Sequence, residues 1–109
     1  YCDSSLKKAC VVVEGQEPIV ISYLEPVTNN VGEYQAVMMA ITKAIPLGAR
    51  DIEILTDSQL VVNQVSGSWK CRKPHLLPFR DMVRGVLSGS TITLSWIPRE
   101  ENLAGRVLG

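Results

Sequence analysis

A helical stripe between strand-like stretches constrains the fold of this chain more than any other feature of its sequence. Apolar residues recur at positions i, i+3, i+4, i+7 and i+11, the spacing of one face of a helix. The stripe consists of Tyr34, Val37, Met38, Ile41 and Ile45. Asn29 or Asn30 is the predicted N-cap, Glu33 falls in the predicted first turn, and Pro46 with Gly48 should end the helix.

Short apolar runs predict the strands that surround this helix. Residues 9–13 and 19–24 are joined by a link with glycine and proline, which predicts a β-hairpin. Further along the chain we predict a strand at 52–56, helices from 58 to about 65 and from 78 to about 87, a strand at 91–97, and a last helix from about 102. With a first strand before the hairpin, the order β-β-β-α-β-α-α-β-α indicates an α/β domain with a mixed sheet, antiparallel first and with helical crossovers afterwards.

Length and composition limit the class of protein. The 109 residues suit one domain, and 46% hydrophobic with 20% charged residues excludes a disordered chain. Eleven basic and eleven acidic residues cancel, so the net charge does not indicate nucleic acid. No apolar run approaches the roughly 20 residues that span a bilayer, so we expect a soluble protein.

Three cysteines, Cys2, Cys10 and Cys71, fit neither a zinc site nor a paired disulfide framework. They favour reduced thiols and a cytoplasmic protein. The chain opens on polar residues and closes while an apolar pattern is still running. We therefore expect a single domain over residues 1–109 that is trimmed or truncated at both ends.

Three acids lie at predicted element ends. Asp3 follows the predicted first strand, Glu33 lies in the first turn of the first long helix, and Asp57 follows the fourth strand. If the first and fourth strands are neighbours and the helix packs across them, the three carboxylates could converge. Such a cluster persists only if cations neutralise it, and oxygen ligands favour magnesium or manganese over zinc. The alternative is that they are solvated acids, with Asp57 or Ser58 capping the next helix.

A basic segment separates the second and third helices. Residues 66–84 hold five basic side chains against Asp81, a local charge of five minus one, or +4. The five are Lys70, Arg72, Lys73, Arg80 and Arg84. With Trp69 among them, the segment predicts a surface that binds nucleic-acid phosphates, and the alternative is a solvated edge on which Trp69 packs. His75, the single histidine, is predicted to be structural.

Three motifs carry a resemblance to a known family: TNN-x-x-E at 28–33, TDSQ at 56–59 and IPREEN at 97–102. In their order and spacing the chain resembles, over nearly its whole length, the type 1 ribonuclease H family in the short form of archaea, some bacteria and retroelements. The resemblance implies a five-stranded mixed sheet, its first three strands antiparallel, flanked by helices on both faces. It also implies an endonuclease that hydrolyses the RNA strand of RNA–DNA hybrids with two Mg²⁺ ions, or Mn²⁺ as a substitute.

The resemblance also assigns site residues. Asp3 matches the acid of an Asp-Gly-Ser motif that here reads DSS, and Glu33 and Asp57 match the helix glutamate and the strand-four aspartate. These three are the implied catalytic residues and metal ligands, with Asp3 and Asp57 shared between the two ions. One ion would activate water for in-line attack, and the other would stabilise the leaving 3′ oxygen. The implied substrate-binding residues are Asn29, Asn30 and Gln59 in the minor groove, and Trp69, Lys70, Arg72 and Lys73 on the phosphates.

The chain departs from the family pattern at three places. Gly105 stands where the pattern asparagine, two residues, aspartate has a fourth acid; the turn after the first strand is shortened to residues 6–8; and a loop histidine is absent. Two hypotheses follow. The domain is an active ribonuclease H in which water, Glu100 or Glu101 replaces the fourth ligand, or it is a weakened or inactive domain that binds hybrid or duplex nucleic acid or serves as a structural module.

Overall fold

The computed structural model describes residues 1–47 and 51–109, and its strands form two hydrogen-bonded groups. Strands β1 (Cys2–Ser4), β2 (Lys8–Val11) and β3 (Ile19–Ser22) make an antiparallel sheet in that order. Strands β4 (Glu53–Thr56) and β5 (Thr93–Trp96) pair in parallel. The two groups meet where β1 contacts β4, and the predicted α/β order is confirmed.

In residues 1–47 and 51–109, four helices cover the strands, and their bounds lie close to the predicted ones. They are α1 (Asn29–Ala44), α2 (Gln59–Ser66), α3 (Leu77–Ser88) and α4 (Leu103–Leu108). Helical 3-10 turns at Ile45–Leu47, Pro74–Leu76 and Arg99–Glu101 precede or follow them. Neighbouring side chains of a strand point to opposite faces. Because Ser4 meets α1 and Asp3 meets α4, these two helices lie on opposite faces of β1.

Burial of small and apolar residues holds α1 against the strands. Tyr34, Val37 and Ile41 of the predicted stripe are buried, whereas Ile45 is 61% exposed because the helix has already given way to a 3-10 turn. On the neighbouring helix α3 the predicted apolar face is confirmed: Val83 is buried, and Phe79, Val86 and Leu87 pack against the core. The ring of Tyr34 stacks on Phe79, with ring centroids 6.1 Å apart.

The start of α1 differs from the prediction. Thr28, with extended backbone, caps the helix through its side chain, which accepts a hydrogen bond from the Val31 N–H, so the predicted caps Asn29 and Asn30 are wrong. Because the helix begins one residue early, Glu33 lies in the second turn, and its predicted place in the first turn is wrong. Gly48, the predicted stop signal, lies outside the described residues.

The N-cap of α2 is Ser58, one of the two capping residues, Asp57 and Ser58, that the sequence offered. The side chain of Ser58 accepts a hydrogen bond from the Val61 N–H and caps α2, which leaves the carboxylate of Asp57 free for another role. All three cysteines are free thiols, as predicted. Within the part of the chain that the structure describes, no helix has both the length and the apolar character needed to cross a membrane.

Candidate metal centre

The structure brings Asp3, Glu33 and Asp57 together. Asp3 is the middle residue of β1, so its predicted place after the first strand is wrong; Glu33 lies on α1, and Asp57 directly follows β4, as predicted. One carboxylate oxygen from each residue lies within 4.8 Å of the others. The sequence predicted that the carboxylates could converge if the first and fourth strands were neighbours under the first helix. In the structure β1 contacts β4, and α1 packs on both strands.

Asp3 is largely buried, with β2 beside it in the sheet and α4 close to its carboxylate. It pairs with Cys10 in the β1–β2 ladder and is 8% exposed. A Cβ atom at Gly105 would lie 3.1 Å from Asp3 Oδ2. Residue 105 thus borders the carboxylate cluster, where glycine supplies no ligand and lets the helix backbone approach Asp3 closely.

Glu33 is the residue with an unsatisfied atom. Its Oε1 accepts a hydrogen bond from the Ser4 N–H at 3.3 Å. Its Oε2 is buried and has no hydrogen-bond partner within residues 1–47 and 51–109. A buried carboxylate oxygen without a partner is rare in proteins and calls for a water molecule or an ion. The donor set therefore fits a divalent cation that prefers oxygen ligands.

The electrostatics of the cluster point the same way. Burial, followed by the charges of Asp3 and Asp57, raises the pKa of Glu33 to about 8. Burial and the charge of Asp57 also raise the pKa of Asp3. Hydrogen bonds from the Ser4 amide and the Glu33 side chain, and then the charge of Arg99, partly oppose this rise. Like charges in a confined space favour protonation of one carboxyl unless a cation is present. Without metal the cluster thus holds a proton near neutral pH.

Asp57 is oriented by two side chains from the end of the chain. Trp96 Nε1 donates a hydrogen bond to the Asp57 carbonyl at 3.1 Å. The fully buried Asn102 donates through Nδ2 to the Cys2 carbonyl at 2.9 Å and to Asp57 Oδ2 at 3.4 Å. Asn102 therefore ties β1 to the third carboxylate. The sequence reasoning used IPREEN as a family signature and did not assign Asn102 this role.

The three acids open into a cleft of about 430 Å³. Asn29, Arg99 and Gly105 also line it. Arg99 is a cation beside the acids that the sequence reasoning did not select, although it lies in the same IPREEN motif. Among the described residues, the cleft lining includes neither Glu100 nor Glu101, which are both exposed, nor His75.

The other predicted substrate-binding residues lie outside the cleft lining. The side chain of Gln59 is exposed at the start of α2, and Asn30 is half-buried at the start of α1. Lys70, Arg72 and Lys73 are exposed on the link between α2 and α3. Trp69 is 46% exposed on the same link, which argues against a purely packing role.

Two of the five basic residues in the segment have partners within the chain. Arg84 donates from Nε to the Val65 carbonyl and from a terminal nitrogen to the Gln64 carbonyl, both at 2.8 Å, at the C-terminal end of α2. Arg80 forms an ion pair with Asp81 at 2.9 Å. The local charge of +4 therefore overstates the available phosphate-binding groups, because Arg80 and Arg84 are already engaged.

Sequence comparison places the chain among known proteins. The profile described as reverse transcriptase-like matches residues 6–108. The bifunctional protein Rv2228c of Mycobacterium tuberculosis is 40% identical over 76 residues, and the match covers 69% of this chain and 21% of that protein. Ribonuclease HI of Halobacterium salinarum is 38% identical over 76 residues, with 69% and 38% covered. The chain thus spans well under half the length of these curated relatives.

Solved structures share the fold. Ribonuclease H1 from Halobacterium salinarum superimposes with a TM-score of 0.77 at 30% identity, covering 93% of this chain and 79% of that one. The N-terminal ribonuclease H domain of rv2228c from Mycobacterium tuberculosis gives 0.74 at 31% identity, covering 91% and 75%. LC11-RNase H1, solved in complex with an RNA/DNA hybrid, gives 0.77 at 21% identity, covering 100% and 97%, which shows the fold alone.

Proposed function

The chain belongs to the reverse transcriptase-like family, within the type 1 ribonuclease H group, and on this premise we propose that it hydrolyses the RNA strand of RNA–DNA hybrids. The observation that carries the proposal is the convergence of the carboxylates of Asp3, Glu33 and Asp57. One of their oxygens, Glu33 Oε2, is buried and has no hydrogen-bond partner among the described residues. A domain that only bound nucleic acid would gain nothing from three carboxylates that repel a phosphate backbone. The cluster is useful when cations turn it into a phosphate-binding site.

Asp3, Glu33 and Asp57 would hold two magnesium ions, or manganese in their place. When bound, such ions supply an activated water nucleophile and stabilise the leaving 3′ oxygen. The protein itself keeps the three carboxylates close together. Asn102 contributes by donating hydrogen bonds both to the Cys2 carbonyl of β1 and to the Asp57 carboxylate after β4. Arg99, on the cleft wall, offers a positive charge to a phosphate group that enters.

Hybrid recognition is assigned to two exposed groups of side chains. The amides of Asn29, Asn30 and Gln59 belong to the helix starts that flank Glu33 and Asp57, from which they would reach the minor groove and its 2′-hydroxyl groups. The link between α2 and α3 would hold phosphates of the DNA strand. Its binding residues are Trp69, Lys70, Arg72 and Lys73.

Gly105 sets the expected limit on activity. With three protein carboxylates, a second bound ion would lack one protein ligand. Water would take that place, because Glu100 and Glu101 are not part of the cleft lining described. Ligand charge sets affinity for hard cations. We therefore expect a requirement for higher magnesium, or for manganese, than a site with four acids would show.

A cleavage assay on an RNA–DNA hybrid, first in magnesium and then in manganese, tests the proposal. Asp57→Asn should lower the rate by about 100-fold or more, because charge stabilisation by metal contributes several kcal/mol to the transition state. Asp81→Asn is the matched control, since Asp81 is 63% exposed and forms an ion pair with Arg80 on the same helix. This control should cleave like the wild type.

Gly105 also supports a second candidate function, a weakened or inactive domain that binds hybrid or duplex nucleic acid. Absence of cleavage in both metals, together with retained hybrid binding in EDTA, would overturn the catalytic proposal and support this alternative. Cleavage that Asp57→Asn removes would exclude an inactive domain.

A further inference from the structure

A pair of hydroxyl groups lies beside the carboxylate cluster. Tyr23, the first residue after β3, has its hydroxyl oxygen 2.7 Å from Ser4 Oγ. Ser4 Oγ is also 2.7 Å from the Ser5 carbonyl oxygen, which can only accept a hydrogen bond. A hydroxyl has one proton, so Ser4 donates to Ser5 and Tyr23 donates to Ser4. The Lys8 carbonyl oxygen also lies 3.3 Å from Ser4 Oγ, so Tyr23 helps to fix the rotamer of the Ser4 side chain together with these main-chain acceptors.

Ser4 connects this hydroxyl pair to the cluster through its backbone. Its N–H is the group that donates to Glu33 Oε1, at 3.3 Å. The other oxygen, Oε2, is left buried and without a hydrogen-bond partner in the described parts of the chain. The Ser4 amide thus holds one oxygen of Glu33 and leaves the second one to face the other acids. Any movement of Ser4 would rotate or release this carboxylate.

The Ser4 side chain packs against α1 at Gly32, where the helix has no side chain. A Cβ atom at Gly32 would lie 2.5 Å from Ser4 Oγ and 3.2 Å from Ser4 Cβ. Real Cβ atoms do not approach so closely, so a side chain at position 32 would force the Ser4 hydroxyl out of its present rotamer and press on Ser4 Cβ. Glycine at 32 is therefore the complement of Ser4, and it brings Glu33, the next residue, against the end of β1.

We propose that Tyr23 is a positioning residue of the metal centre, which acts through the Ser4 hydroxyl and the Ser4 amide to orient the carboxylate of Glu33. The inference rests on the proposed function, because it requires the cluster to bind a cation. Tyr23 itself contacts Ser4 and needs no contact with metal or substrate. Its backbone N–H also donates to the Lys7 carbonyl at 2.8 Å, so the residue is tied to the turn between β1 and β2.

Removal of the hydroxyl by Tyr23→Phe should weaken magnesium binding. Partners one step removed from a metal ligand contribute about 10- to 100-fold to metal affinity, and Tyr23 acts one step further out, so we expect a loss of about three- to tenfold. In EDTA, where no metal is bound, the affinity for hybrid should equal that of the wild type. Ser4→Ala should show the same loss.

The other two tyrosines provide matched controls. Tyr34 donates a buried hydrogen bond to Gln64 at 2.6 Å, so Tyr34→Phe should lower stability and leave magnesium affinity unchanged. The Tyr1 hydroxyl makes no hydrogen bond within residues 1–47 and 51–109, and Tyr1→Phe should change neither quantity. A merely structural role of Tyr23 would make Tyr23→Phe behave like Tyr34→Phe.

Magnesium titrations of the whole chain, followed by amide NMR spectra, measure the effect residue by residue. We expect the Ser4 amide resonance to shift in metal-free Tyr23→Phe and not in Tyr34→Phe. We also expect Tyr23→Phe to add nothing to Ser4→Ala, because the hydroxyl acts through that serine. Equal magnesium affinity of wild type and Tyr23→Phe, or additive losses in the double variant, would overturn the inference.

The same titration separates this inference from the proposed function. If the wild type binds magnesium at the cluster and Asp57→Asn does not, the metal centre stands whatever Tyr23→Phe does. If magnesium shifts no resonance of Asp3, Glu33 or Asp57 in the wild type, the metal centre and the role of Tyr23 both fall.

Discussion

The acidic cleft and the basic segment at residues 66–84 relate charge to structure in opposite ways. The acids of the cleft are 30 and 24 positions apart in the chain, since 33 minus 3 is 30 and 57 minus 33 is 24, yet one oxygen of each lies within 4.8 Å of the others. The basic residues are close in sequence, but Arg84 caps α2 and Arg80 pairs with Asp81. Charges that are far apart in sequence converge, and charges that are close in sequence are partly engaged elsewhere.

The difference teaches that a count of charges along the chain does not measure a binding site. Like charges converge only where packing forces them together. The raised pKa of Glu33 reflects first the burial of its carboxyl group and then the charges of Asp3 and Asp57. Basic side chains on an open link face no such constraint, so each takes whatever acceptor is within reach. Four experiments can break or sharpen this contrast.

The largest effect concerns the pH dependence of stability of the metal-free protein. The pKa of Glu33 rises from 4.5 to about 8 on folding, so the folded state holds an extra proton between these values. Stability from this group is complete below about pH 4.5 and is lost as pH rises toward 8, with a slope of at most about 1.4 kcal/mol per pH unit. Urea denaturation from pH 5 to 8 measures it.

Glu33→Gln should remove this contribution to the slope, and saturating magnesium should flatten it in the wild type because metal binding favours the deprotonated carboxylate. If the stability of the metal-free wild type changed with pH in the same way as that of Glu33→Gln, the fold would not raise the pKa of Glu33.

Arg84 distinguishes a structural cation from a binding one. Arg84→Ala removes two charge-assisted hydrogen bonds to main-chain carbonyl groups at the end of α2 and should lower the free energy of unfolding by about 2–3 kcal/mol. Arg80→Ala, which breaks an exposed pair with Asp81, should lower it by about 0–1 kcal/mol. If Arg84→Ala kept the full free energy of unfolding but lost affinity for hybrid, Arg84 would be a phosphate-binding residue like the rest of the basic segment.

The three remaining cations test the binding role of the segment. Replacement of Lys70, Arg72 and Lys73 together by alanine should weaken hybrid binding in EDTA by about tenfold and reduce the slope of log affinity against log salt by about 2 to 3. Lys43→Ala, an exposed lysine in the last turn of α1, is the control. A salt dependence unchanged in the triple variant would make the link a solvated edge.

Gly105→Asp should have the smallest effect and bears on the acidic cleft alone. A side chain at 105 would begin 3.1 Å from Asp3 Oδ2, so a carboxylate there can join the cluster. We expect the magnesium concentration for half-maximal cleavage to fall by about threefold, since more ligand charge raises affinity for hard cations. Gly105→Asn, of the same shape without the charge, should not lower it. An unchanged requirement in Gly105→Asp would mean that another group already supplies the fourth ligand.

Much of the fold could be predicted because local periodicity reports which face of an element is buried. The stripe of α1, the apolar face of α3 and the Ser58 cap of α2 each depend on residues within a few positions of one another. The cap of α1 could not be read off in this way. Thr28, Asn29 and Asn30 are all good caps, and the extended backbone at Thr28 selects that residue. The preceding Val27 N–H bonds to the Leu6 carbonyl, a contact far away in the sequence.

The sequence by itself determined the element order, the three acids and the absence of an acid at Gly105, because these depend on residue identity and spacing along the chain. The tertiary structure decided which groups meet: Tyr23 with Ser4, Ser4 with Glu33, Asn102 with Asp57, and Arg84 with the end of α2. The physical reason is that these partners are far apart in the chain, so only packing brings them together; the contact of Ser4 with Glu33, for example, depends on how closely α1 approaches β1. That approach is set by the missing side chain at Gly32, whose effect is visible only when both elements are in place.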